Sequence, residues 1–198
     1  MRTELRTTAR IFFLSLVIFF GVGPARVPAD AGATQDAGAR DGGSGEPWAS
    51  AAGKVVVLIF VRTDCPIANR YAPEIQRLSA AHSGDAAFWM VYPDKKESAE
   101  AIRKHAVEYH LALPVLRDPQ RELVKRAQVS VTPEAAVFDA RGRLVYHGRI
   151  DNWFEDFGRA RPAATTHELA DAIAAAVSGH PATLPSVPAV GCYLSDVQ

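Results

Sequence analysis

The chain has 198 residues, 48% of them apolar and 22% charged, with a formal net charge of +0. These values are near globular averages and exclude wholesale disorder and collagen-like sequence. No run of Lys/Arg is longer than a pair such as Lys95-Lys96, so nothing points to nucleic acid. Two cysteines exclude a disulfide-stapled scaffold and a four-thiolate zinc site.

The first segment has the form of an address. Arg2, Arg6 and Arg10 precede an apolar run from Ile11 to Val22, and small residues follow, with Ala29-Asp30-Ala31 as an exit. A basic start, a short apolar stretch and a small-residue exit predict a secretory signal over 1–31. The run is short of the ~20 residues of a membrane span. Retained, it would be an anchor, and only then does the protein meet a membrane. Cleavage predicts a periplasmic or extracellular protein, whose cysteines face an oxidising compartment. Residues 32–47 are rich in Gly, Ala and Asp and have no apolar period. They predict a flexible linker, because they bury too little to offset the entropy of ordering. The domain then runs over 48–198, ending in a Pro-rich tail.

Val55 to Val61 is continuously apolar and mostly β-branched, the signature of a strand covered on both faces. A helix is predicted after Cys65-Pro66, with Ile67, Tyr71, Ile75 and Leu78 on one face and a kink at Pro73. Ala87–Tyr92 reads as a second buried strand and 98–109 as an amphipathic helix. Leu113–Leu116 is a short extended piece and 121–127 a short helix. Glu134–Asp139 and Leu144–Gly148 flank a turn glycine and predict an antiparallel hairpin. Thr165-x-x-Glu168 has capping-box spacing and opens a last helix, which Gly179 and Pro181 end. This order predicts an α/β fold, a central mixed β-sheet flanked by helices on both faces.

Cys65 falls where the central strand ends and a helix begins. A helix N-terminus carries about +0.5 charge and free N–H groups, both favouring thiolate over thiol. Arg62 adds positive potential and Asp64 opposes it. The bland alternative is a buried, inert cysteine. Val131-Thr132-Pro133 opens the hairpin, where a proline marks a strand edge or a cis bond.

The strand, the Cys-Pro, the kinked helix and the Thr-Pro before a hairpin resemble the thioredoxin fold. The segments Asp64-Cys-Pro-Ile67, Val131-Thr-Pro-Glu134, Leu144-Val-Tyr-His-Gly-Arg-Ile-Asp151 and Ala189-Val-Gly-Cys-Tyr-Leu194 are similar to the peroxiredoxin-like, AhpC/TSA-type redoxins. The resemblance covers about residues 50 to 195. It implies a thiol-dependent oxidoreductase, with antioxidant peroxide reduction as one form of that activity. Cys65 is then the nucleophile, and Pro133 is cis and beside it. Thr132 and Pro133 present backbone to substrate. No organic cofactor is implied, and since His147 and the other five histidines have no ligand spacing such as His-x-x-x-His, no metal is expected either. The partner is an external thiol reductant, a thiol/disulfide protein or peroxide. Ala68 stands at the second cysteine position of Cys-x-x-Cys, which excludes exchange through a local dithiol. Thr63 is two residues before Cys65, whereas the peroxiredoxin pattern is Thr-x-x-Cys.

Other residues carry two readings each. Thr63 and Arg149 are candidates for binding substrate oxygen near the thiolate; Arg149 also reads as a strand-end residue paired with Asp151. Trp153–Phe157 is an apolar lid or a pin for its own loop. Cys192 resolves oxidised Cys65, forms a static disulfide with it, or stays free. Two other classes remain: a binding module with a degenerate site, and a copper-handling chaperone, against which Asn69 fills the second position of Cys-x-x-x-Cys.

Overall fold

The computed structural model describes residues 40–41, 46–180 and 185–194. The predicted signal over 1–31 lies outside them. In chain order the elements are β1 (Arg40–Asp41), α1 (Glu46–Ser50), β2 (Val55–Phe60), α2 (Pro66–Ala81), β3 (Ala86–Tyr92), α3 (Ala99–Glu108), β4 (Val115–Arg117) and α4 (Glu122–Ala127). There follow β5 (Val131–Thr132), β6 (Glu134–Phe138), β7 (Leu144–Gly148), β8 (Phe154–Asp156), β9 (Arg159–Ala160), α5 (Glu168–Val177) and β10 (Cys192–Tyr193).

Six strands form one sheet in the order β1-β4-β3-β2-β6-β7. β2 pairs parallel with β3 and antiparallel with β6, so the sheet is mixed about its centre. The continuous apolar run of β2 follows from two cores. Val55, Val57, Ile59 and Val61 face one, shared with α2, α3 and α5. Val56, Leu58 and Phe60 face the other, shared with Leu123, Val124 and Ala127 of α4. A strand that alternates between two filled faces has no polar side. β2 ends at the carboxyl edge of the parallel strands and feeds α2 through Arg62–Cys65. Pro73 lies inside α2, where it cannot donate to the carbonyl of Asn69.

Three expectations change. Within the stretch read as linker, Arg40–Asp41 pairs parallel with β4, and α1 begins at Glu46. The Thr165-x-x-Glu168 capping box does not form. His167 is the N-cap, without a side-chain bond, and Glu168 is the first helical residue. Thr165 instead bonds Asn152 through its N–H and hydroxyl, at 2.7 Å each. The C-terminus of α5 behaves as predicted. Gly179 is left-handed at φ +71°. His180 N–H reaches Ala175 O and Gly179 N–H reaches Ala176 O, the paired bonds of a Schellman stop. Finally, the Pro-rich tail contains a strand. It returns to the domain as β10, antiparallel to β5.

The Trp153–Phe157 segment becomes the small β8–β9 hairpin. Trp153 and Phe154 pack on the Tyr71 ring, and Arg70 stacks over both. That pins the loop to α2, while Phe157 at the tip is exposed. Among the described residues no helix is long and apolar enough to cross a membrane.

Candidate functional site

Cys65 is the N-cap of α2, with Pro66 next. Its thiol is fully buried and donates to the Thr132 carbonyl at 2.9 Å. The Thr132–Pro133 bond is cis, as the resemblance implied. This short strand is shaped from inside. The buried Glu134 carboxylate accepts the N–H groups of Ser130 at 2.8 Å and Val131 at 3.2 Å.

The tail lies along the other edge of the same strand. Cys192 pairs with Thr132 and Tyr193 with Val131. Leu194 N–H donates to Ser130 O at 3.1 Å, and its buried side chain joins the second core. Two glycines permit this approach. A Cβ at Gly191 would lie 2.1 Å from the Thr132 oxygen, and one at Gly148 would lie 2.5 Å from the Val187 oxygen. The tail therefore places Cys192 against Cys65, and both thiols are free. Burial, followed by the hydrogen bond to Cys65 and its charge, pushes the Cys192 thiol up to about 12. Arg62 acts in the opposite direction. Its guanidinium bonds Asp64 at 2.8 Å and the Tyr193 carbonyl at 3.5 Å, tying the Cys65 loop to the tail.

Two predicted site residues have carboxylate partners of their own. Thr63 is held by Glu97, whose Oε1 accepts the Thr63 N–H at 2.6 Å. Arg149 pairs with Glu168 and Thr166, not with Asp151. Asp151 accepts from the Tyr71 hydroxyl at 2.6 Å. A guanidinium already held by a carboxylate is a poor open site for peroxide oxygen. Cys65, Cys192, Thr132 and Pro133 are brought together, while the Arg149 guanidinium is taken up by Glu168 and the Thr63 N–H by Glu97.

Asp151 also comes together with Glu74 and His167, their ligand atoms within 4.8 Å of one another. Arg77 bonds Glu74 through both carboxylate oxygens and Tyr71 bonds Asp151, so both carboxylates of this trio are already engaged within the chain.

Three residues escaped the sequence reading. Glu97 follows two lysines and reads as a solvated charge, yet it is buried. Asn69 registered only as a missing cysteine, and His105 only as a histidine without ligand spacing. Burial raises the Glu97 carboxyl above its usual range, with the Thr63 bonds opposing. A carboxyl raised on folding binds more protons folded than unfolded. Its penalty is absent below the unfolded value and grows as pH rises through the folded one. Glu97→Gln therefore removes a falling limb of the stability profile. Denaturant midpoints from pH 4 to 8 are expected to show the variant gaining on the parent as pH rises. Parallel profiles would refute this account of Glu97.

Comparison with known proteins agrees on the architecture. A hypothetical protein of Sinorhizobium meliloti 1021 is 22% identical, with 72% of this chain and 80% of that one covered at a TM-score of 0.59. An uncharacterized conserved protein of Geobacillus kaustophilus is 23% identical, covering 72% and 77% at 0.58. A secreted Mycobacterium tuberculosis disulfide oxidoreductase homologous to E. coli DsbE is 24% identical, covering 64% and 85% at 0.47. At these identities the likeness is one of fold; the mixed sheet, the helix opening at Cys65-Pro66 and the cis Thr132–Pro133 bond beside that thiol are those of a thioredoxin-like fold. No curated protein matches the chain. The AhpC/TSA family matches residues 40–147, from the first strand of the six-stranded sheet into its last. With the sheet spanned in this way and more than half of the chain matched, the protein belongs to the AhpC/TSA family.

Proposed function

We propose that this protein is a thiol–disulfide oxidoreductase whose redox pair is Cys65 and Cys192. The observation that carries the reading is that β10 sets Cys192 opposite Thr132, the residue whose carbonyl accepts the Cys65 thiol at 2.9 Å. Cys65 opens α2 beside the Thr132 carbonyl, and Cys192 stands where a local second cysteine is lacking at Ala68. The Cys65 thiolate attacks a partner disulfide and forms a mixed disulfide, releasing one partner thiol. Cys192 then gives up its proton and attacks the Cys65 sulfur. The second partner thiol leaves, and the Cys65–Cys192 disulfide remains. One disulfide is reduced and one dithiol is oxidised, so the electrons balance. An external thiol or dithiol reverses the cycle.

Disulfide exchange is favoured over peroxide reduction because Arg149, the guanidinium that would hold a peroxide, is bonded to Glu168, and because Thr63 stands two residues before Cys65 rather than three. Asn69 is likewise engaged by His105 and Thr63, which speaks against copper ligation there.

The test is non-reducing peptide mapping after one equivalent of oxidised glutathione. A Cys65–Cys192 linked peptide is expected in the parent, and glutathione trapped on Cys65 in Cys192→Ser. Both thiols remaining free in the parent would overturn the reading and leave a binding module. Export belongs to the same proposal, with the chemistry carried by the domain over 48–198 extended by β1. N-terminal sequencing of exported protein is expected to start between about residues 25 and 34. Retained Met1 would make the segment an anchor.

A further inference from the structure

We propose that Asn69 and His105 are a positioning pair that places Cys65 for thiol–disulfide exchange, acting through the peptide of Thr63. This rests on Cys65 and Cys192 being the redox pair.

A continuous chain of hydrogen bonds runs from the sheet to the loop before the nucleophile. The Tyr92 hydroxyl on β3 meets His105 Nδ1 on α3 at 2.9 Å. His105 Nε2 meets Asn69 Oδ1 on α2 at 2.8 Å. Asn69 Nδ2 meets the Thr63 carbonyl at 3.3 Å, two residues before Cys65. The Asn69 backbone N–H also donates to the Cys65 carbonyl at 3.0 Å.

The last acceptor sets the direction of the whole chain. A backbone carbonyl only accepts, so the NH2 of Asn69 must face Thr63 and its oxygen must face His105. His105 then donates from Nε2 and, when neutral, accepts at Nδ1 from the tyrosine hydroxyl. The reversed chain would set the Asn69 oxygen against the Thr63 oxygen. Burial holds the His105 pKa below the usual imidazole range, with Glu108 of the same helix opposing. That keeps the single-proton form the chain requires.

Thr63 is gripped from its other side as well, since its N–H donates to Glu97. The backbone of one residue, and with it the two peptides that flank it, is thus clamped by α2 and by the segment leading into α3. The chain of bonds could have closed within the core, as buried histidines usually do. It ends instead on the loop that carries the redox thiol. Exchange needs three sulfurs nearly in line, so small displacements of Cys65 are felt in the reaction.

Two variants of the full chain separate positioning from packing. Asn69→Asp keeps the size of the side chain and an acceptor for His105, but has no donor for Thr63. His105→Gln keeps a donor near Nε2 and an acceptor for Tyr92, and so is the conservative rescue beside His105→Leu. The readouts are the Cys65–Cys192 equilibrium against dithiothreitol and the Cys65 alkylation rate in the Cys192→Ser background. We expect Asn69→Asp and His105→Leu to change both by roughly tenfold or more, with His105→Gln within about threefold of the parent. Folded Asn69→Asp protein with both readouts unchanged would overturn the proposal, even where His105→Leu fails to fold. Should the parent form no Cys65–Cys192 disulfide, the redox reading fails by itself. The alkylation rates still decide on the clamp.

Discussion

Gly191→Val is expected to uncouple the two cysteines while leaving the sheet folded. The position tolerates no side chain. A Cβ there meets the Thr132 oxygen at 2.1 Å, the Thr132 carbonyl carbon at 2.6 Å and the Pro133 nitrogen at 3.2 Å. All three are backbone atoms of a strand held by Glu134, so none can step aside as a flexible side-chain end would. The tail must lift, and β10 has only two residues to oppose that. Lifting removes the causes that raise the Cys192 thiol, its burial and its contact with Cys65. The sign follows directly. A thiol raised to about 12 is almost wholly protonated at pH 8, and its thiolate fraction grows as it returns toward the free value. With a free value of about 8.5, the thiolate at pH 8 rises on the order of 10³-fold. Alkylation of Cys192 at pH 8 reads that change, with circular dichroism confirming the fold. Slow alkylation in the variant, equal to the parent, would mean that the tail seats without Gly191.

The parts of this site that were legible in the sequence are those written in local pattern. The β2 run, the Cys65-Pro66 helix start, the β6–β7 hairpin and the glycine stop of α5 each depend on a few neighbouring residues. Cys192 was visible as a candidate, but its role stayed open because nothing local says where a tail after Pro181 goes. Its placement depends on Gly191 and Gly148, whose lack of side chains matters only against Thr132 and Val187. The two-residue strands β1, β5 and β10 have no period to detect, since pairing across long separations creates them. The capping box failed for a related reason. Glu168 has a stronger partner in Arg149 than the backbone N–H of Thr165, and that partner comes from another element. Thr63 and Arg149 were plausible substrate ligands by proximity in sequence to the motif. Their engagement by Glu97 and Glu168 is tertiary.

The pH dependence of the second chemical step separates this cysteine pair from one of ordinary exposed thiols. In the proposed cycle Cys192 resolves the mixed disulfide on Cys65, and only its thiolate attacks. Once Cys65 is in the mixed disulfide, its hydrogen bond and charge no longer act on Cys192. Burial, the largest cause of the raised value, persists while β10 stays seated. Release of the second partner thiol is therefore expected to accelerate about tenfold per pH unit from pH 7 to beyond pH 9, since below its pKa the thiolate fraction rises in that proportion. An unperturbed thiol would level off near its free value of about 8.5. The measurement is stopped-flow release from a mixed disulfide preformed on Cys65 with a chromophoric aromatic thiol. Cys192→Ser should show no intramolecular release at any pH, which isolates the step. In Gly191→Val the plateau should move down to the free value, and the rate should depend on how often the freed tail meets Cys65. A parent plateau near 8.5 would show that β10 leaves β5 before Cys192 attacks, making departure of the tail part of the catalytic cycle.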